Sequence, residues 1–175
     1  MRSHGDWYCL SKTLAEKKAN EFVASLGEKE SAPFDMVVMN PGFILGPMLQ
    51  PSLNESSEKI YNYLTGISKS ILNGNKHIVD VRDVAEAHIV AYENKASSGR
   101  YLLVGCCSHE EEMCDELRSI LPTAAIPTTS AALRAPKLLY DASKAERDLG
   151  LKFRQMSEML KATCSSLVQH GFVKL

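Results

Sequence analysis

The chain has 175 residues, of which 45% are hydrophobic and 23% are charged, so its length and apolar fraction suit one globular domain. Its formal net charge is -1, from 20 basic and 21 acidic residues, and no dense lysine or arginine run points to a phosphate backbone. Nucleic acid is therefore disfavoured as a ligand. No stretch reaches the roughly 20 apolar residues of a membrane-spanning helix, and residues 1–6 lack the apolar core of a signal peptide. We expect a cytoplasmic protein that does not bind membranes.

The predicted elements alternate between helix and strand. Apolar residues recur at helical spacing over residues 7–26, and Gly27 ends the pattern. The run at residues 36–39 is typical of a parallel strand buried on both faces, and Asn40, Pro41 and Gly42 end it. The elements predicted further along are a helix at 59–72, a strand at 77–81, a helix at 84–93 capped by Asp83, a strand at 101–104, a helix opened by the capping box of Ser108 and Glu111 that runs to Ile120, an irregular connector at 124–136, and an apolar helical stripe at 156–168. This order predicts a layered α/β fold, with strands 36–39 and 101–104 in one mostly parallel sheet.

Five cysteines bear on redox state and metal binding. Their number is odd and no CxxC pair occurs, so neither a disulfide framework nor a zinc ribbon is indicated. The densest set of possible metal ligands contains two adjacent cysteines, which fit tetrahedral coordination poorly. That set is Cys106, Cys107, His109 and Cys114. We predict no metal site.

Two YxxxK pairs are candidates for acid/base chemistry. Tyr8 and Lys12 are four residues apart on the first predicted helix, so their side chains meet on one face. An ammonium group beside a phenol lowers the phenol pKa from about 10 towards the range of a general acid. Tyr140 and Lys144 repeat the spacing, but they precede a short helix closed by Gly150, whereas Tyr8 opens a long helix followed by a buried strand. We therefore interpret the second pair as structural.

Several segments in order resemble the extended short-chain dehydrogenases/reductases, in the branch of the dihydroflavonol and cinnamoyl-CoA reductases. The segments are YCLSKTLAE at 8–16, MVVMNPGFILGP at 36–47, HIVDVRDVAEAH at 77–88, GRYLL at 99–103 and SKAERDLGLKF at 143–153. The resemblance implies a Rossmann-type parallel sheet with a small substrate-binding subdomain. It also implies an oxidoreductase that acts on the CH-OH/carbonyl pair of a small molecule with NADP or NAD.

The resemblance assigns roles to particular residues. Tyr8 would donate the proton, and Lys12 would assist it and hydrogen-bond the ribose of the nicotinamide nucleotide. Both should then face the end of the sheet marked by Pro41 and Gly42. The residues that would lie beside the nicotinamide are Pro41, Gly42, Phe43 and Ile44. Gly42 has a reason of its own, since a residue without a side chain lets backbone approach a flat ring.

The family's glycine-rich turn, which receives the cofactor pyrophosphate, has no counterpart in the 175 residues. We expect a single incomplete domain that is the C-terminal portion of such a reductase, without the N-terminal βαβ half. Residues 1–48 would hold the catalytic helix, strand and nicotinamide loop, and residues 49–175 mostly the substrate-binding region with the remaining strands. A non-catalytic remnant that acts through protein contacts is the alternative, and a sugar-nucleotide epimerase or dehydratase is a further one.

The cluster of His77, Asp80, Arg82 and Asp83 is interpreted as helix capping and ion pairing rather than catalysis. No GxSxG motif supports a hydrolase.

Overall fold

A computed structural model describes residues 4–27, 34–130 and 133–174. Helices and strands alternate along much of the chain, as the hydrophobic pattern predicts. In chain order the elements are α1 (His4–Ser25), β1 (Val37–Pro41), β2 (Phe43–Leu45), α2 (Glu55–Leu64), β3 (Asn75–Asp80), α3 (Val81–Glu93), β4 (Gly99–Leu103), β5 (Cys106–His109), α4 (Glu110–Ile120), α5 (Ser143–Leu149) and α6 (Met156–Gln169).

The strands form two small sheets that meet at glycine hinges. Strand β1 pairs in parallel with β4, which confirms that segments 36–39 and 101–104 share one parallel sheet. Strand β2 pairs in parallel with β3, and β3 pairs antiparallel with β5. At the hinges, the Gly42 amide donates to the Leu103 carbonyl and the Gly105 amide donates to the Ile78 carbonyl. Gly42 lies between β1 and β2, and Gly105 lies between β4 and β5. Backbone hydrogen bonds therefore link the two sheets at both places where the chain passes from one sheet to the other.

Each sheet has its own hydrophobic core. The larger core lies between β2, β3 and helices α2, α4 and α6, and it includes the fully buried Ile60, Ile78 and Leu117. The apolar stripe predicted on the last helix belongs to this core, since Met159, Leu160 and Leu167 are buried. The smaller core lies between β1, β4 and helices α3 and α5.

Two predicted helix starts are wrong by one to three residues. Asp80, rather than Asp83, caps α3, because its side chain accepts a hydrogen bond from the Arg82 amide. The capping box of α4 uses His109 and Glu112, one residue later than predicted. Ser108 instead donates its hydroxyl proton to the Glu112 carboxylate.

Helix α2 and strand β5 also differ from the sequence-based expectation. Helix α2 runs over Glu55–Leu64 instead of 59–72, and Gly66 follows it with a positive φ of 70° that a helix does not adopt. Asn54 caps its start by accepting from the Ser57 amide. Strand β5 was not predicted, because its sequence CCSH is neither alternating nor rich in strand-forming residues.

Candidate active site

Helix α1 brings the Tyr8 and Lys12 side chains together. The Lys12 Nζ atom lies 5.5 Å from the centroid of the Tyr8 ring, as the four-residue spacing predicts. Lys12 is exposed, and Tyr8 is 64% exposed. The pair is thus accessible to a ligand, whereas its predicted orientation towards Pro41 and Gly42 stays a prediction.

Tyr8 and Lys12 lie on a face of helix α1 whose later residues are partly buried. Glu16, Ala19 and Val23 follow Tyr8 and Lys12 at spacings of three or four residues, and all three are partly buried. Glu16 Oε1 lies 2.7 Å from Nε of Arg100 on β4, so this face of α1 is tied to the β1–β4 sheet. Tyr8 and Lys12 lie about two turns and one turn before Glu16 along this face of the helix.

Gly42 is required by the fold itself. A Cβ atom at this position would lie 2.3 Å from the carbonyl oxygen of His77 on β3, well inside normal contact distance. Its amide also donates to Leu103 at 3.0 Å. The absence of a side chain therefore lets β3 approach the β1–β2 hinge, a reason different from the close approach to a flat ring that the sequence suggested.

The other residues of the predicted nicotinamide segment take different positions around this hinge. Pro41 is exposed at the end of β1. Phe43 packs on the larger core, with Lys76 Nζ 5.5 Å from its ring centroid, whereas Ile44 packs on the smaller core. Pro41 is thus exposed, and Phe43 and Ile44 anchor the segment in the two cores.

Asn40, which precedes Pro41, was not singled out from the sequence. Its side-chain Nδ2 is buried without a hydrogen-bond partner among the described residues. A buried amide donor without an acceptor costs about 1–3 kcal/mol, and such groups in native structures call for an explanation. Its place next to Pro41 makes it a candidate donor to a ligand at the same end of β1.

Polar contacts from α6 hold the loop that follows β2. The Gly46 amide donates to the Thr163 hydroxyl at 2.8 Å, and the Met48 amide donates to the Ser166 hydroxyl at 2.9 Å. All of these contacts are buried. They connect residues more than 110 positions apart, so no local sequence signal could have revealed them.

A charged cluster at the end of β3 is structural, as the sequence suggested. The Arg82 guanidinium lies 2.8 Å from both carboxylate oxygens of the fully buried Asp80. Burial disfavours the charged form of Asp80, but the hydrogen bonds from Arg82 outweigh it and hold the Asp80 pKa below its usual value. Asp83 pairs with the Arg154 side chain and accepts from the Arg154 amide at 2.9 Å. These side chains fix α3 against the segment that leads into α6.

Tyr140 and Lys144 do not form an acid/base pair. The Tyr140 hydroxyl donates to the Gly105 carbonyl at 3.4 Å, and its ring packs edge-on to His77. Burial raises the pKa of Tyr140, which is the wrong direction for a general acid near neutral pH. Lys144 instead contacts the Tyr101 ring, with Nζ 3.3 Å from the ring centroid, and donates to the Ser98 carbonyl. Tyr140 and Lys144 thus contact different groups, in line with the structural interpretation of this pair.

Within residues 4–27, 34–130 and 133–174, no cluster of three histidine, cysteine, aspartate or glutamate side chains could hold a metal ion. In the same part of the chain, no helix combines the length and apolar character needed to cross a bilayer.

Comparison with known proteins identifies the family. The chain is 39% identical to cinnamoyl-CoA reductase CAD2 of Medicago truncatula over 170 residues, which are 97% of this chain and 50% of that protein. It is also 34% identical over 168 residues to tetraketide alpha-pyrone reductase 1 of Arabidopsis thaliana. The chain belongs to the extended short-chain dehydrogenases/reductases. No protein-family profile matches it.

Solved structures agree with this family and with the Rossmann-type fold. Vestitone reductase from alfalfa superposes with a TM-score of 0.79 at 28% identity, over 98% of this chain and 54% of the other. Yeast methylglyoxal/isovaleraldehyde reductase Gre2, solved with NADPH, gives a TM-score of 0.78 at 28% identity, over 95% and 52%. The chain thus spans about half the length of the reductases it matches, consistent with the predicted C-terminal portion.

Proposed function

We propose that this chain supplies the proton-donating and nicotinamide-side part of an NADP-dependent reductase that converts a small carbonyl compound to an alcohol. The observation that carries the proposal is the Tyr8–Lys12 pair, on an accessible helical face that turns towards the sheet. Its occurrence in a chain 39% identical to a cinnamoyl-CoA reductase supports a catalytic role over a chance match of the motif.

The residues fit one end of a nicotinamide nucleotide. Lys12 presents an exposed ammonium group that can donate to ribose hydroxyls, and Asn40 offers a buried amide donor with no described partner beside Pro41. None of the 175 residues forms a glycine-rich turn for the pyrophosphate. We therefore assign the nicotinamide and its ribose to this chain and the phosphates to another polypeptide segment. The NADPH bound by the related yeast Gre2 favours NADP over NAD.

Bound NADPH would supply the hydride that adds to the carbonyl carbon of the substrate. Tyr8 donates its hydroxyl proton to the carbonyl oxygen, so the C–O double bond becomes a C–OH group. The Lys12 ammonium stabilises the negative charge left on the Tyr8 oxygen until solvent returns a proton. Residues 41–44 form a wall for the ring, and the packing of Phe43 and Ile44 on the two cores keeps that wall in place.

The test uses a reductase chimera. In it, the part of alfalfa vestitone reductase that this chain does not match precedes residues 1–175. NADPH oxidation is followed with a panel of small aldehydes and ketones. Tyr8→Phe should reduce turnover by on the order of 10²- to 10⁴-fold, because the proton source is lost. Tyr140→Phe is the matched control and should retain turnover. Near-normal activity in the Tyr8→Phe chimera would exclude the proposed role.

A further inference from the structure

Residues 133–140, which we call the strap, run along one face of strand β3. Three side chains at two-residue intervals each donate to a backbone carbonyl of the strap. The side chains are Asn73, Asn75 and His77, and the carbonyls belong to Leu133, Pro136 and Leu138, at N–O distances of 2.9, 2.7 and 3.3 Å in that order. Side chains two residues apart in an extended segment lie on the same face, so the strap follows β3 along that face.

Ion pairs attach the strap to the start of α4. Arg134 Nε lies 2.6 Å from Glu111 Oε2, and Lys137 Nζ lies 3.4 Å from Glu112 Oε1. Both basic side chains are at least half exposed. Salt screens charge pairs that are open to solvent, so this attachment should weaken as the ionic strength rises.

The strap has little hydrophobic anchoring. Seven of its eight residues are exposed, and among them Leu139 is 98% exposed. Of the described residues that form the two hydrophobic cores, none belongs to the strap. Segments with few buried apolar contacts and many exposed hydrogen bonds open at a lower free energy than the core does.

The closed strap also leaves one buried acceptor without a donor. Asn75 Nδ2 donates to Pro136, but Oδ1 of the same amide is buried and has no hydrogen-bond partner among the described residues. An unpaired buried acceptor raises the free energy of the closed state. Water can donate to this oxygen once the strap lifts, so this cost favours opening.

The strap lies over a thiol and an imidazole. His77 and Cys107 are directly opposite each other in the antiparallel pair of β3 and β5, so their side chains share one face of the sheet. The Tyr140 ring of the strap packs edge-on to the His77 ring, with 5.4 Å between their centroids. Its hydroxyl donates to the carbonyl of Gly105, two residues before Cys107. Lifting the strap therefore uncovers the face that carries Cys107.

We propose that the strap opens as a unit while β3 and β5 remain paired, that ionic strength sets how often it opens, and that opening exposes the Cys107 thiol beside His77. This conformational device involves neither Tyr8 nor residues 41–44, so it stands or falls independently of the proposed function.

Amide hydrogen exchange on the 175-residue chain compares a strap amide with a sheet amide. The Ala135 amide donates to Asn73 Oδ1 at 2.8 Å, and the Gly105 amide donates to the Ile78 carbonyl at 2.8 Å. Relative to intrinsic rates, Ala135 should exchange at least roughly tenfold faster than Gly105. Raising the salt from about 0.05 to about 0.5 M should accelerate Ala135 further but not Gly105. Equal protection of the two amides would show that the strap opens only with the sheet and would overturn the proposal.

Charge variants test the ionic control. Glu111→Gln removes the charge that pairs with Arg134, and it should accelerate Ala135 exchange about two- to fivefold. Glu116→Gln is the matched control, because it removes the same charge one turn beyond Glu112 on α4, and it should leave the rate unchanged. The double variant Glu111→Gln with Arg134→Gln should exchange no faster than the faster single variant, since both lose the same ion pair. Wild-type exchange at Ala135 in Glu111→Gln would refute the ionic control.

Iodoacetamide labelling, located by mass spectrometry, measures the exposure of the thiol. Cys107 should be labelled faster in Glu111→Gln and at high salt. Cys114 and Cys164 are internal controls, because they are 0% and 3% exposed and should stay unlabelled while the chain is folded. A constant Cys107 labelling rate in a variant whose Ala135 amide exchanges faster would show that the strap does not guard this thiol.

Discussion

The hydrogen bonds between α6 and the loop after β2 give a prediction that can be worked out from the structure. Thr163 is fully buried, and its hydroxyl accepts from the Gly46 amide at 2.8 Å while donating to the Met159 carbonyl at 2.8 Å. Thr163→Val keeps the shape of the side chain and removes only the hydroxyl. The Gly46 amide then remains buried without an acceptor.

The expected cost follows from that unsatisfied amide. A buried donor that loses its acceptor costs about 1–3 kcal/mol, whereas the Met159 carbonyl loses little because it also accepts within helix α6. For a chain of this size, each kcal/mol lowers the melting temperature by about 2–4 °C. We therefore expect Thr163→Val to melt roughly 2–12 °C below the wild type.

Urea denaturation and amide exchange at Gly46 measure the effect. Thr163→Ser keeps the hydroxyl and loses one methyl group, so it should cost about 1 kcal/mol but leave the Gly46 amide protected. Thr163→Val should lose that protection. A Thr163→Val protein within about 0.3 kcal/mol of the wild type, with Gly46 still protected, would refute the reasoning.

Two further predictions concern the hinge and the charged cluster. Gly42→Ala should destabilise the fold by at least about 2 kcal/mol in urea, because its Cβ would clash with the His77 carbonyl, and an equally stable variant would contradict this packing. Asp80 has a pKa below its usual value, so its ionised form stabilises the fold above about pH 4, and this contribution is lost as the pH falls through the folded-state pKa. Asp80→Asn should therefore be less stable at pH 7 and lose less stability below pH 4 than the wild type; parallel curves for the two proteins would rule this out.

The sequence predicted the parts of the fold that depend on periodic or strongly apolar segments. The first and last helices and the parallel pairing of β1 with β4 follow from such patterns. The helix-capping rules predicted the wrong residue where two neighbouring residues could both act as the cap. Ser108 with Glu111 fits the capping rules better than His109 with Glu112, but β5 stays paired with β3 through His109, opposite Asn75, so α4 begins after His109.

The candidate site was predictable only where its residues are close in sequence. Tyr8 and Lys12 meet because four residues make about one helical turn. The role of Gly42 depends on His77, which lies 35 positions away on another strand, so the sequence suggested the right residue for a different reason. The unpaired amide of Asn40 depends on burial by elements distant in sequence, and no local pattern marks it.

The two parts of the candidate site differ in how firmly this chain holds them. Phe43 and Ile44 are anchored in the two hydrophobic cores and Gly42 by its amide, so the segment that we propose lines the nicotinamide is held by this chain itself. Helix α1 is tied to the sheet by the Glu16–Arg100 ion pair, and its Trp7 and Leu14 side chains are at least half exposed. An exposed ion pair contributes only about 0–1 kcal/mol, too little to fix the position of a catalytic hydroxyl. The proposed function therefore requires contacts beyond this ion pair to hold Tyr8 against residues 41–44.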